Sequence, residues 1–278
     1  MNNTKNAKKK WTAERLETFI DTEVAIEHLH RYAIALDLVR NKRVLDIASG
    51  EGYGSNLMAM EASEVTGVDI SSEAIFAAKK KYTRKNLQFL QGSASDIPYE
   101  SDYFDVVVSF ETIEHHDQHE KMLLEIKRVL KDDGLLIISS PDKFNYSDKR
   151  SFQNKFHVKE LYNDEFKVLI YKNFQNAGFY YQRAVFASLI IPDESKLAFK
   201  EFSGDYEKIN DNKSFDGLYI IAVASNGSLP EMQISAFTDE DMIQKLTNAE
   251  RMKVWSTISY KLGHIILWPL KTLYKIFR

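Results

Sequence analysis

Two carboxylates and an imidazole follow one apolar segment of this 278-residue chain at a spacing that suits a metal ion. Glu111, Glu114 and His115 stand at positions i, i+3 and i+4, which share one face of a helical turn. Carboxylate oxygens and an imidazole nitrogen suit a divalent cation such as Mg²⁺, Mn²⁺ or Fe²⁺. A plainer alternative explains the same residues: Glu111 caps a helix, and Glu114 and His115 are solvated.

A glycine-rich turn offers a second kind of chemistry. The segment DIASGEGYG, residues 46–54, lies between a predicted strand and a predicted helix. Glycines there let the backbone approach a ligand, and amides at the start of a helix bind anions. Asp69 ends the next predicted strand, where it suits hydrogen bonds to two ribose hydroxyls. Together they predict a nucleoside-containing cofactor, and both NAD and S-adenosylmethionine fit. The turn by itself could equally be a tight connection without a ligand.

These residues need a sheet whose strands end at a common edge, and the apolar pattern predicts one. Strands are predicted at residues 43–48, 64–69, 87–90, 104–110, 135–139, 178–185 and 218–224. Helices are predicted at residues 23–39, 55–60, 71–81, 118–130 and 158–176, and residues 192–215 read as irregular. Continuous apolar strands alternating with helices indicate an α/β fold with a parallel sheet covered on both faces. Ligands of such sheets bind at the carboxyl ends of the strands.

Composition excludes several classes of protein. The 17 Phe and 14 Tyr with only 11 Gly and five Pro exclude a disordered chain. No cysteine is present, so disulfides and thiolate chemistry are excluded. The polar, basic start is not followed by an apolar signal segment, and no run reaches the roughly 20 apolar residues of a membrane span. We expect a cytoplasmic protein.

Charge divides the chain unevenly. Residues 1–250 hold 31 basic and 40 acidic side chains, whereas residues 251–278 hold six cations and no carboxylate. We predict a flexible basic N-terminus at residues 1–22, one domain at 23–226, and a linker with amphipathic basic helices at 227–278. The tail, with a kink at Pro269, suits an anionic membrane surface. Docking on the core or pairing as a homo-oligomer is the alternative.

Five segments resemble, in order, the motifs of class I S-adenosylmethionine-dependent methyltransferases. They are VLDIASGEGYG at 44–54, VTGVDI at 65–70, QGSASDIP at 91–98, FDVVVSFETIEH at 104–115 and IKRVLKDDGLLII at 126–138. The resemblance covers about residues 25–180. It implies a Rossmann-like sheet and S-adenosylmethionine as cofactor. Ala48 departs from the family, which usually has glycine there, and Ser93 departs where an aspartate often binds adenine.

The resemblance also assigns cofactor contacts. The backbone of the turn would hold the methionine moiety, Asp69 the ribose, and Ile70 and Ile97 the two faces of adenine. The Phe110 carbonyl would lie near the cofactor amino group. The full set of implied cofactor residues is Asp46, Ala48, Ser49, Gly50, Gly52, Asp69, Ile70, Ser93, Ala94, Asp96, Ile97 and Phe110.

The segment Glu111-x-x-Glu114-His115 resembles the metal motif of two methyltransferase groups. These are the plant small-RNA ribose 2′-O-methyltransferases and the ubiquinone-pathway O-methyltransferases. The RNA enzymes take a further histidine from a later segment, and FHVKELY at 156–162 stands in the comparable place. The resemblance therefore implies a catalytic metal site formed by Glu111, Glu114, His115 and His157.

The resemblance extends to methyltransferases of polysaccharide assembly, which implies a sugar hydroxyl of a bacterial surface glycan, such as lipopolysaccharide, or its precursor. His28, Arg31 and Tyr32 are candidates for contacting the substrate or the cofactor carboxylate, although a plain amphipathic helix explains them equally. The acidic core argues against a nucleic-acid partner. A quinol or phenol, a terminal phosphate, and a non-catalytic cofactor-binding module remain alternatives.

Overall fold

The computed structural model describes residues 23–184, 201–204, 209–212, 216–237 and 242–263. The helices are α1 Glu23–Leu38, α2 Tyr53–Met58, α3 Ser72–Lys81, α4 His119–Val129, α5 Asn163–Asn173 and α6 Met242–Ser256. The strands are β1 Arg43–Ile47, β2 Glu64–Asp69, β3 Leu87–Gln91, β4 Phe104–Ser109, β5 Leu130–Pro141, β6 Asn176–Gln182, β7 Glu201–Gly204, β8 Ile209–Asn212 and β9 Tyr219–Ser225.

Seven strands form one sheet in the order β3-β2-β1-β4-β5-β9-β6. The first five pair in parallel, and β9 runs antiparallel between β5 and β6. Side chains of β1, β2 and β4 are buried along almost their whole length, as strands covered on both faces require. The expected α/β sheet is therefore confirmed, with one antiparallel strand.

Each face of the sheet carries its own apolar core. On one face the helices α4 and α5 bury Met122, Ile126 and Phe166 against the strands. On the other face α1 and α2 bury Tyr32 and Met58. Each Å² of apolar surface that these contacts remove from water stabilises the fold by about 25 cal/mol. The two cores hold the sheet between the helices and so fix the positions of the strand ends.

The structure corrects two element boundaries. The helix predicted from residue 158 begins at Asn163, because Glu165 accepts a hydrogen bond from the Tyr162 amide at 3.0 Å and caps the helix there. The segment from His157 to Tyr162 therefore forms a loop before the helix. Strand β5 begins at Leu130, which pairs with Phe104, so the strand predicted from residue 135 starts five residues earlier.

The predictions for the irregular stretch and for the two ends of the chain have different outcomes. The stretch read as irregular contains the hairpin of β7 and β8. Residues 1–22, predicted to form a flexible N-terminus, lie outside the described residues, as does the predicted kink at Pro269. The boundary at residue 226 stays a prediction. Within the described ranges, none of the helices has the length and apolar character needed to cross a bilayer.

Candidate functional site

The glycine turn, residues 46–54, connects β1 to α2 with three left-handed residues. Ala48, Gly50 and Gly52 have φ angles of 58°, 55° and 83°. A Cβ on Gly52 would lie 2.6 Å from the ring of Phe89, so only glycine fits there. The Ser49 amide donates to the carbonyl of Val68 at 3.0 Å, which ties the turn to β2.

Asp69 fastens the turn from the end of β2. Its two carboxylate oxygens accept hydrogen bonds from the amides of Gly50 and Ser71, each at 2.9 Å. The side chain is buried. The predicted contact with ribose is compatible with this position and stays a prediction.

Asp46 is buried below the turn and is supported by hydroxyl groups. The Ser55 hydroxyl donates to its carboxylate at 2.6 Å. Burial raises the pKa of Asp46 from 3.8 to about 7, although the hydrogen bonds from Ser55 and Tyr32 oppose that rise. The Tyr32 ring packs against Gly54, where a Cβ would lie 1.9 Å from it, and its predicted contact with the substrate or the cofactor carboxylate stays a prediction.

The residues predicted to hold adenine lie at the same edge of the sheet, since Asp69 pairs with Gln91 across β2 and β3. Ile70 is 70% exposed, whereas Ile97 is buried. Ser93, Ala94 and Asp96 form a tight turn closed by a hydrogen bond of 3.1 Å from the Asp96 amide to the Ser93 carbonyl. The Phe110 carbonyl accepts from the Thr112 hydroxyl at 3.1 Å.

Glu114, His115 and His157 converge into a Glu–His–His cluster. One ligand atom from each residue lies within 4.8 Å of the others. Glu114 is 1% exposed, and neither carboxylate oxygen has a hydrogen-bond partner among the residues that the structure describes. Burial, followed by the charge of Glu111, raises the pKa of Glu114 well above its ordinary value.

Backbone hydrogen bonds bring the members of this cluster together. Glu114 and His115 lie in a 3₁₀ turn, Ile113–His115, that follows β4. The amides of Val158 and Lys159 donate to the Glu114 carbonyl at 2.8 and 3.1 Å. His157 thus comes from a loop more than 40 residues later and meets a turn at the adjacent strand end.

Glu111 adopts another position. The spacing of Glu111 and Glu114 had indicated one shared helical face. In the structure Glu111 has a φ angle of 51°, so it leaves the strand in a left-handed conformation and does not share a helical face with Glu114. The Ser139 hydroxyl donates to its carboxylate at 2.6 Å, and the Glu111 amide lies 3.2 Å from the same hydroxyl. Its fourth-ligand role stays a prediction.

Arg31 places a buried cation beside Glu111. One guanidinium nitrogen, Nη1, donates to Gln182 at 2.7 Å and lies 4.0 Å from the Glu111 carboxylate. The group also lies 4.8 Å from the ring centre of Tyr219. Nε and Nη2 have no hydrogen-bond partner within the described ranges. His28, the third substrate candidate, bonds to the hydroxyl of Tyr53 at 3.0 Å.

Sequence reasoning missed the groups that surround Arg31. Glu27 is buried, and its carboxylate accepts from the Ala184 amide at 3.2 Å. Burial raises the pKa of Glu27, while the charge of Arg31 opposes the rise. The i, i+4 spacing of Glu27 and Arg31 was the available signal. Gln182 and Tyr219 belong to the last strands, and the sequence gives no indication that they meet α1.

Part of this chain is similar to known proteins. Residues 45–138 match the family model described as a methyltransferase domain. A probable S-adenosylmethionine-dependent methyltransferase of Mycobacterium tuberculosis is 35% identical over 128 residues, which are 46% of each chain. A fatty-acid O-methyltransferase of Mycolicibacterium smegmatis is 30% identical over 115 residues, 41% of this chain and 42% of that one. The chain spans about half the length of these curated relatives.

A solved structure supports the fold. An S-adenosylmethionine-dependent methyltransferase from Thermotoga maritima superimposes with a TM-score of 0.52 at 18% identity, covering 73% of this chain and 90% of that one. At this identity the likeness concerns the fold alone. The matched sequence contains the glycine turn, Asp69 and the segment from Glu111 to His115. Residues 45–138 are therefore similar to a methyltransferase domain, and the fold around them is the one found in S-adenosylmethionine-dependent methyltransferases.

Proposed function

We propose that this chain is an S-adenosylmethionine-dependent O-methyltransferase that acts on a sugar hydroxyl of a bacterial surface glycan or its precursor, with a divalent metal. One observation carries the proposal. Glu114 is a buried carboxylate without a hydrogen-bond partner in the described part of the chain, and two imidazoles stand beside it at the carboxyl edge of a methyltransferase sheet.

The Glu–His–His cluster fits a divalent cation. Burying a carboxylate without a partner costs free energy that a bound cation would recover. One carboxylate and two imidazoles form a donor set that suits Mn²⁺ or Fe²⁺ and accommodates Mg²⁺ less well. Glu114, His115 and His157 would hold the ion, with Glu111 as the proposed fourth ligand.

Methyl transfer to oxygen breaks the bond between the sulfonium sulfur and the methyl carbon and forms a carbon–oxygen bond, with loss of the hydroxyl proton. A sugar hydroxyl is a weak nucleophile, and a bound cation lowers its pKa. The main contribution of the chain itself would be to hold the acceptor oxygen in line with the methyl group of the cofactor. The glycine turn and Asp69 would orient the cofactor, while the cluster would orient the acceptor from the neighbouring strand end.

Arg31 would bind a carboxylate on the cofactor or on the acceptor. Its Nε and Nη2 groups are buried donors without partners among the described residues, which makes an anion a favourable neighbour. Tyr32 packs against Gly54 of the turn and against Phe110, and its contact with the acceptor or the cofactor carboxylate stays part of the proposal. His28, which bonds to the hydroxyl of Tyr53, is the third proposed contact to the acceptor or to the cofactor carboxylate.

A lipid acceptor is the second candidate, because relatives support it. The fatty-acid O-methyltransferase of Mycolicibacterium smegmatis and a phthiotriol/phenolphthiotriol dimycocerosates methyltransferase of Mycobacterium leprae are each 30% identical over the matched region. Both names specify lipid molecules. A quinol or phenol, a terminal phosphate, and cofactor binding without turnover are the other outcomes that an acceptor assay would distinguish.

The test uses the full chain with methyl-labelled S-adenosylmethionine, Mn²⁺ and a panel of glycan, fatty-acid and quinol acceptors. We expect label on a glycan, loss of turnover in a chelator and retained cofactor binding. Label on fatty acid alone would overturn the sugar assignment. Full turnover in the chelator would overturn the metal. Mass spectrometry of surface glycans with and without the protein would then identify the methylated sugar.

We also propose that the C-terminal helix contacts an anionic membrane surface. Every side chain of residues 251–262 is exposed, including Met252, Trp255 and Ile258. Apolar side chains beside Arg251, Lys253 and Lys261 suit the headgroup layer, where each cation contributes about 1 kcal/mol. This position would bring the enzyme to a lipid-linked glycan.

Sedimentation with anionic liposomes tests the membrane proposal. We expect the full chain to sediment at low salt and a chain ending at Asn248 to stay in the supernatant. Neutral liposomes provide the control, because charge attraction disappears there. Equal recovery of both chains in the supernatant would reject the membrane role and favour pairing of the helices between copies.

A further inference from the structure

The loop before α5 surrounds His157 with two polar side chains that the sequence did not single out. Nδ1 of His157 forms a short contact with the carboxylate of Glu160. Nε2 of the same ring lies 2.9 Å from the side-chain nitrogen of Asn154. His157 and Glu160 are only 8% and 10% exposed, so the pair is largely shielded from water.

The hydrogen bonds determine where the His157 proton lies. The Phe156 amide donates to the Asn154 oxygen at 3.1 Å, which fixes the orientation of that side-chain amide. Its nitrogen therefore faces His157 as a donor, and Nε2 must accept with its lone pair. The proton then resides on Nδ1 and points at Glu160. Nε2 is the nitrogen whose lone pair a cation could use.

His115 follows the same arrangement. Its Nδ1 lies 3.1 Å from the Phe156 carbonyl, which can only accept, so Nδ1 carries the proton there as well. Both imidazoles of the Glu–His–His cluster thus have Nδ1 directed at an oxygen. The Tyr146 ring stacks on His157 at 5.5 Å and 25°, which holds the plane of the imidazole.

We propose that Glu160 is the positioning carboxylate of this metal site and that Asn154 is its placeholder. Glu160 holds His157 in the tautomer whose Nε2 lone pair is available to a cation, and Asn154 binds that lone pair until a cation replaces it. The inference rests on the metal in the proposed function. Carboxylates in this outer position orient metal-binding histidines and increase their basicity.

Binding of Mn²⁺ to the full chain tests Glu160 without an acceptor. We expect Glu160→Gln to weaken Mn²⁺ binding about 10- to 100-fold, because the neutral amide still accepts from Nδ1 but no longer favours positive charge on the ring. Glu120→Gln is the matched control, since Glu120 is an exposed carboxylate paired with Lys172. Thermal unfolding of the metal-free variants shows whether either change acts through folding.

Asn154→Ala separates the placeholder from a ligand. We expect this variant to bind Mn²⁺ at least as tightly as the parent, because no amide has to be displaced. Weaker binding would mean that Asn154 contributes to the site and would overturn its assignment. Nitrogen-15 spectra of the metal-free parent should show His157 protonated at Nδ1, and a ring protonated at Nε2 would overturn the assignment of Glu160.

The outcomes distinguish this inference from the proposed function. Parent and Glu160→Gln chains that bind Mn²⁺ equally would reject only the positioning role. A parent chain that binds no Mn²⁺ would reject the metal and the positioning role together. If Glu160→Gln fails to fold, Asn154→Ala and the spectra of the parent still decide the question.

Discussion

The glycine turn and the Glu–His–His cluster lie at neighbouring strand ends but satisfy their polar groups differently. In the turn, Asp46 and Asp69 bond to a hydroxyl and to two backbone amides. In the cluster, Glu114 is buried with no hydrogen-bond partner in the described part of the chain. The carboxylates of the turn have partners within the protein, whereas the described residues provide none for the carboxylate of Glu114, as the proposed cation site requires.

This difference separates stability from function in the two regions. The carboxylate of Asp69 accepts two backbone hydrogen bonds and stabilises the turn, so its loss should weaken the fold as well as ligand binding. An unpaired buried carboxylate destabilises the fold, so its loss should reduce function without reducing stability. Substitutions at Asp69 and at Glu114 therefore have opposite expected effects on stability.

The largest expected effect is on catalysis, at Glu114. Glu114→Gln keeps the size of the side chain but removes the charge that would bind a cation. We expect Mn²⁺-dependent methyl transfer to fall more than about 100-fold, and the free energy of unfolding at pH 7 to stay equal or to rise. Initial rates and urea unfolding measure the two quantities. Glu120→Gln provides the control, and unchanged turnover would show that the cluster is structural.

Asp69 should show the opposite signature. Asp69→Ala removes the partner of the Gly50 and Ser71 amides as well as the predicted ribose contact. We expect S-adenosylmethionine to bind more weakly by about 1.5–3 kcal/mol for each lost bond, with a parallel loss of stability. Titration calorimetry measures the affinity. Asp69→Asn retains one acceptor and should lose less, and unchanged affinity in Asp69→Ala would remove Asp69 from the cofactor site.

Asp46 should make the stability of the fold depend on pH. Its pKa rises to about 7 in the folded chain, so folding favours the protonated carboxyl. The corresponding stability is complete below about pH 4 and is lost as pH rises to about 7, in total about 4 kcal/mol. Asp46→Asn cannot ionise there, so its unfolding free energy should lack this decline. Urea unfolding from pH 4 to 8 tests this, and identical slopes for both chains would contradict the burial of a charge.

The sheet and the turn could be predicted from the sequence because their signals are local. Continuous apolar strands specify a covered parallel sheet, and Asp69 follows one of them directly. The structure also brings Glu114, His115 and His157 together, three of the four residues assigned by resemblance. Their convergence follows from strand order, because β4 and β5 are neighbours.

The surroundings of Arg31 and the orientation of Glu111 could not be predicted, since both depend on distant contacts. Gln182 meets Arg31 across 151 residues of chain. Glu111 takes its left-handed conformation next to Ser139, which lies 28 residues away. Residue spacing within one segment contains no information about such partners, and the helical spacing of Glu111 and Glu114 was therefore misleading.

Ala48 gives the smallest expected effect and the finest test of the turn. Its φ of 58° lies in the left-handed region, which costs a residue with a Cβ about 1–2 kcal/mol. Ala48→Gly should therefore raise the free energy of unfolding by about 1 kcal/mol, despite the greater freedom of glycine in the unfolded chain. Ala33→Gly, inside α1, is the matched control and should lower it by about 1 kcal/mol. Urea unfolding of both variants measures the difference, and destabilisation of similar size at the two positions would show that the turn does not hold Ala48 under backbone strain.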